Sequence, residues 1–535
     1  MASELFLLGI CVIHRAVAMK RKRNSTQKGN EGGDNYDPKQ IQIPDSSITD
    51  LPGPIIVDIL LKLSVKSILI SRCVCKNWRS IISDPQFAKL QHEQAEPCVL
   101  LYTVDSKHVS RTLYLVEPKD CHNFDLGYCI CDHHTCSRCD RHVKLDTKLK
   151  IPLRNAEMVL SREEGDAQMG CIRVRPNDQN FKIVNFCNGF LCLSEPSCNE
   201  PLVVCNPITG EFINLPAPKR NDEKTPYFVD CGFGFSPRTN QYKVIRMFER
   251  WIGDPPTHVM GVHTPAMGRI NYSKEIEIYT LGEGSWKSIG DAPFCYSKLL
   301  SPTYLEGCVH WLLCLESGGG STVYIVSFSF DNEQLQLFPS PPRENDKSDI
   351  YCAAIIAGLS KKPNVSMGVL DGCLCICDAS GYDNDTIDIW VMKKYGVRES
   401  WTKVFSIDNQ PHQGRSRGLY QPINYLKNGA VLMFHYLKCV LICYDTERSK
   451  FKYLKICGAE SKFEAISYAP SFISLKEAIV GDNVAVLNMS SRCGRIKVQG
   501  ETKALSLAEE DRETEVDSDC SSSDKEWLKN WWERY

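Results

Sequence analysis

Apolar positions change period near residue 97. In residues 51–90, LPGPIIVDILLKLSVKSILISRCVCKNWRSIISDPQFAKL, they recur at helical spacing; beyond, they alternate as in strands. Pro52 and Pro54 open the first helix, where a missing N–H costs nothing. Ile55, Ile59, Leu60 and Leu63 then follow at i, i+4, i+5 and i+8. Ser64 is placed to cap a second helix carrying Val65, Ile68, Leu69 and Val74. A third carries Trp78, Ile81 and Ile82, and Asp84-Pro85 reads as its stop, because the residue before proline is pushed out of the α region. So small a helical unit is below the size at which a lone core is comfortable, so much of its apolar surface is expected to meet another body.

The alternating part is repetitive. Gly189, Gly307, Gly372 and Gly429 each stand in a turn before an apolar strand: CNGFLCL, LEGCVHWLL, LDGCLCI and KNGAVLMF. A second strand follows each, ending in a polar turn and an aromatic, as in VVCNPITGEF and LICYDTERSKF. Anchors near residues 205, 278, 328, 389 and 443 are separated by 73, 50, 61 and 54 residues. An irregular repeat of several short strands predicts a β-propeller, with five, six or seven blades open and about six expected. The chain therefore reads as an α+β multi-domain protein: a tail over 1–49, a helical module over 50–91, an all-β propeller over 97–475, and an acidic tail over 480–535. The composition of both tails predicts disorder.

Composition adds limits. Apolar residues are 43% and charged residues 24% of the 535, ordinary for a globular chain, and the net charge of −2 supplies no field for nucleic acid. Residues 501–535 hold eleven acids against five Lys and Arg, and end in EWLKNWWERY. The apolar run Leu5–Ile13 is preceded by Glu4 and followed by Lys20–Arg23, the reverse of a secretory signal, and no run is long enough to span a bilayer. The 27 cysteines show no framework spacing. They read as reduced thiols, which places the chain in cytoplasm or nucleus, off the membrane.

One segment carries metal-ligand chemistry. CHNFDLGYCICDHHTCSRCDRH, 121–142, offers Cys129, Cys131, Cys136 and Cys139 with nearby histidines as zinc ligands, although no standard finger or ribbon spacing is met. An insertion without metal is the competing reading, and no other cofactor is expected. The Gly-rich stretch 317–322 lacks the lysine and helix of a phosphate loop and reads as a hairpin turn. Cys373, Cys375 and Cys377 read as strand core, and His310 as a packed histidine. No Ser/His/Asp or paired-carboxylate pattern marks a catalytic site.

The helical segment resembles an F-box. The matching features are Leu51-Pro52, Ile59-Leu60, Leu63, Val65-Lys66-Ser67, Val74-Cys75-Lys76-x-Trp78 and Asp84-Pro85-x-Phe87, with Ser64 where the family usually has proline. Residues 97–475 resemble the F-box-associated, kelch-like region of plant F-box proteins through NGFLCL, VVCNPITGEFINLP, GFGFSPRTNQYKVIR, IEIYTLGEGSWKSI and FSFDNEQLQLFPSPP. The resemblance implies a non-catalytic substrate receptor of an SCF-type ubiquitin ligase. Leu51, Pro52, Ile55, Ile59, Leu60, Leu63 and Leu69 would meet the Skp-type adaptor, and through it cullin and RING subunits. Val74 and Trp78 would brace the helices. The propeller would hold a target protein for degradation, with the loops 249–272 and 378–386 as first candidates for contact. A propeller enzyme and a ligase-independent scaffold are the alternatives.

Overall fold

Two-residue turns with both residues at positive φ set where the hairpins close. At Asn188-Gly189 the angles are 49° and 82°, at Glu306-Gly307 50° and 73°, and at Asp371-Gly372 49° and 70°. Such turns match the twist of an antiparallel pair, which is why glycine stands second in each. The computed structural model describes residues 51–103, 112–117, 143–144, 147–152, 181–196, 199–216, 229–251, 272–293, 298–317, 320–342, 364–379, 386–408, 418–426, 429–454, 456–457, 463–479 and 484–489.

Within these ranges six antiparallel sheets are arranged as the blades of a propeller, and Val143–Lys144 pairs with Ile456–Cys457 as a separate two-stranded parallel sheet. Blades 2 to 6 each take four consecutive strands, and their inner strands are Lys182–Cys187, Val229–Ser236, Leu299–Leu305, Val365–Leu370 and Tyr420–Tyr425. Blade 1 is composite. Its outer three strands, Cys98–Thr103, Thr112–Val116 and Thr147–Lys150, come from the start of the β region. Its inner strand, Phe463–Tyr468, comes from the end, paired from Cys98↔Tyr468 to Thr103↔Phe463. The circle is thus closed by hydrogen bonds between chain segments 362 residues apart, as marked by the Tyr102 hydroxyl donating to Glu464.

Neighbouring blades pack through their faces. Gly232 and Gly234 in the inner strand of blade 3 let blade 4 approach: a Cβ on them would lie 2.8 Å from Trp311 and 2.2 Å from Phe330. Cys375 and Cys377 are fully buried, and burial pushes the Cys375 thiol up to about 12, so both act as small apolar side chains. The strands Cys308–Ser317 and Gly320–Ser329 pair down to Ser317↔Gly320, which makes the Gly-rich stretch a hairpin end.

The helical module has four helices, one more than its periodicity suggests: α1 (Gly53–Leu61), α2 (Val65–Ser71), α3 (Lys76–Ile82) and α4 (Pro85–Glu93). Asp84-Pro85 ends α3 and also starts α4, because the Asp84 carboxylate accepts from the Gln86 N–H at 2.8 Å and proline suits the first turn. Ser64 caps α2, accepting from the Ser67 N–H at 3.2 Å. A second correction concerns the stretch 480–535: Leu487–Asn488 adds an outer strand to blade 2, pairing with Phe212 and Glu211. A two-residue strand has no period to read. The remainder of both tails lies outside the described residues.

Candidate functional site

The module does not hang free. Ile56, Leu60, Val65, Ile68, Trp78, Ile82 and Phe87 share one core with Leu100, Leu113 and Leu115 of blade 1 and Ile208 of blade 2. Phe87 meets Phe472 edge to face, with centroids 6.4 Å apart. The Val65 N–H, at the open start of α2, donates to the Glu117 carboxylate at 2.7 Å. An apolar junction of this kind holds the two bodies as one.

What is left outside is a ridge. Helix α1 carries two apolar faces roughly 100° apart. Ile56 (1% exposed) and Leu60 (0%) face inward. Leu60 therefore belongs to the protein's own core and not to an outward contact surface, which corrects its expected place. Pro52 and Ile55 (47%) are exposed and Ile59 is half-buried on the other face. Leu51, Leu63, Leu69 and Val74 are half-buried at the core margin, and Trp78 is sealed inside. Six large apolar side chains are markedly exposed among the described residues, and three of them, Ile55, Ile70 and Leu90, are on this small module. The marked apolar exposure among the described residues is thus concentrated on this module.

The module sits at the end of the propeller where the inner strands finish, beside Tyr468, Phe472 and the 207–210 turn. The opposite end is where the inner strands begin. Lys182, Asp230, Lys298 and Glu464 converge there on the mouth of the central channel, a cavity of about 240 Å³. Asp230 pairs with Lys274 at 2.9 Å, both fully buried, and accepts from the Leu299 N–H at 3.0 Å. Burial pushes the Lys182 amine down and the Glu464 carboxyl up. Sequence reasoning did not find this group. Its members are separated by dozens of residues or more, and only the shared position at the start of an inner strand relates them. The expected loops 249–272 and 378–386 leave from this same end and lie largely outside the described residues.

Buried polar groups elsewhere are structural. His310 has no exposed surface; its Nδ1–H donates to the Thr303 carbonyl at 3.2 Å, and its Nε2 accepts from the Tyr395 hydroxyl at 2.9 Å. Desolvation lowers it to about 4. A base whose folded pKa is depressed stabilises the fold above its unfolded value, and that stability is lost as pH falls from about 6.5 to 4. The loss should reach about 3 kcal/mol. Urea unfolding at several pH values should show it, and His310→Gln should flatten that part of the profile relative to wild type.

Cys129, Cys131, Cys136 and Cys139 lie outside the described residues. Among the described residues no group of three His, Cys, Asp or Glu is placed to hold a metal ion. No described helix is long and apolar enough to cross a membrane.

Comparison with known proteins adds to the geometry. Residues 48–90 match the family model of the F-box domain, and residues 148–475 that of the F-box associated beta propeller domain. An F-box protein of Arabidopsis thaliana is 26% identical over 451 residues, covering 79% of this chain and 91% of that protein. The Arabidopsis thaliana F-box protein CPR1 is 29% identical over 52% of this chain and 64% of its own length. An F-box/kelch-repeat protein of the same plant is 23% identical over 76% of this chain and 90% of its own.

Proposed function

We propose a function from one premise: the chain belongs to the family of F-box proteins that carry an F-box associated beta propeller domain. It serves as a substrate-receptor subunit of an SCF-type ubiquitin ligase. The Pro52, Ile55 and Ile59 ridge docks a Skp-type adaptor, which brings cullin and RING subunits. The propeller end opposite the module presents a target protein. The observation that supports this most is the exposed apolar ridge on a module whose other face is sealed into the propeller.

The mechanism is positional. Transfer of ubiquitin is performed by other subunits, and this chain contributes no reacting group. Its contribution is effective concentration, which a stiff connection raises by holding target lysines within reach of the charged conjugating enzyme. The apolar junction between helices and blade 1 supplies that stiffness. Cytoplasm or nucleus is the compartment this role requires.

Affinity purification of the full chain from plant cells with the proteasome blocked tests the reading. Adaptor, cullin and RING subunits should accompany the wild type together with accumulated targets. Pro52→Asp combined with Ile55→Asp should lose all three ligase subunits while retaining targets. Retention of the ligase subunits by that variant would end the reading.

A further inference from the structure

The docking roles above leave the central channel unused. The inner strands of all six blades contribute to its wall, and its volume is about 240 Å³. A dry cavity of roughly 150 Å³ already accommodates benzene, so this one has room for about ten non-hydrogen atoms. Apolar walls with a few fixed polar groups are the usual form of a small-molecule site.

Both features are present here. Phe186, Pro302, Val369 and Ile466, from blades 2, 4, 5 and 1, line the channel, each half-buried. Gln421 of blade 6 supplies an oriented amide. Its Nε2 donates to the Met367 carbonyl of blade 5 at 2.9 Å and to the Pro422 carbonyl at 3.4 Å. Two carbonyls at the nitrogen fix which end of the amide is which, and no donor among the described residues meets Oε1. Gly368 gives the amide its place, since a Cβ there would lie 2.7 Å from Nε2. The Gln421 carbonyl is thus held as an acceptor on the channel wall. The charged groups at the mouth engage one another, Lys274 with Asp230 at 2.9 Å and Lys182 with Glu464. An ion seated among the apolar side chains would shed its water and gain little in return, whereas a neutral molecule with one donor loses little.

We propose that the channel is a binding site for a small neutral hydroxyl compound, a phenol or alcohol, whose O–H donates to Gln421 Oε1 and whose apolar body lies among Phe186, Pro302, Val369 and Ile466. The site concerns the channel alone and stands whether or not the chain docks an adaptor.

Calorimetry and thermal melting of the full chain at neutral pH with 4-ethylphenol, 4-ethyltoluene and 4-methylbenzoate test the proposal. The first two share a shape and differ by a hydroxyl for a methyl; the third is an anion of similar size. 4-Ethylphenol should raise the melting temperature. 4-Ethyltoluene should bind about tenfold more weakly, because it covers the Gln421 carbonyl and returns no hydrogen bond. 4-Methylbenzoate should also bind at least about tenfold more weakly than the phenol, having left its hydration behind. Gln421→Met should remove the preference for phenol over hydrocarbon. Because Gln421 also links blades 5 and 6, Val369→Phe provides a second variant, which should abolish binding of both by filling the apolar part of the channel. The proposal is overturned if 4-ethylphenol leaves the melting temperature unchanged, if it binds no better than 4-ethyltoluene or 4-methylbenzoate, or if folded Val369→Phe binds it as wild type does.

Discussion

A chain ending at residue 462 should lose cooperative folding of the whole propeller, not merely one blade. The inner strand Phe463–Tyr468 pairs with Cys98–Thr103 along its full length and buries Phe463, Glu464, Ala465 and Tyr468. Its Tyr468 hydroxyl donates to the Gly189 carbonyl of blade 2 at 2.8 Å, and Phe434 of blade 6 packs on Phe463 at 5.7 Å. Removing it opens blades 1, 2 and 6 at once and also deletes Phe472 from beneath the helices. A loss on that scale is comparable with the roughly 5–15 kcal/mol by which a domain is stable. Circular dichroism melting should show no sharp transition and hydrogen exchange no protected core. A sharp melt within a few degrees of wild type would contradict the closure described above.

Asp230→Ala should cost about 3–5 kcal/mol, because it leaves the Lys274 ammonium buried without its carboxylate. Lys274 and Asp230 have side-chain exposures of only 1% and 0%, so the ammonium loses its carboxylate where little solvent reaches it. The Leu299 N–H loses its acceptor in the same step. Adding Lys274→Met should recover much of the loss, since a well-packed apolar pair is often as stable as a buried ion pair. Urea midpoints should report the effect with an unchanged slope. A single variant that unfolds at the wild-type midpoint would show that the pair does not stabilise the fold.

The parts of this fold legible in the sequence are those with local causes. The anchors at 205, 278, 328, 389 and 443 all fall in the third strand of their blades, because the turn and aromatic after that strand repeat. Blade 1 escaped this pattern, since its inner strand arrives from the far end of the chain and leaves no local trace. The helical module was legible as helices, but its two apolar faces were not separable: Ile55 and Ile56 are adjacent in sequence and equally greasy, and only packing sends one outward and the other in. Asp84-Pro85 signalled a stop, yet the same two residues are also a good helix start. The channel mouth depends on residues from separate blades and becomes visible only once the circle is closed.

Affinity for a purified Skp-type adaptor is the most direct measurement of the central idea, that one outward apolar face of an otherwise sealed module is a docking surface. Titration calorimetry of the full chain should give saturable one-to-one binding. Ile55→Asp, at a position 47% exposed, should weaken it by about a hundredfold or more while leaving the melting temperature within a degree or two of wild type. Undiminished binding by that folded variant, or no binding by the wild type, would contradict the account.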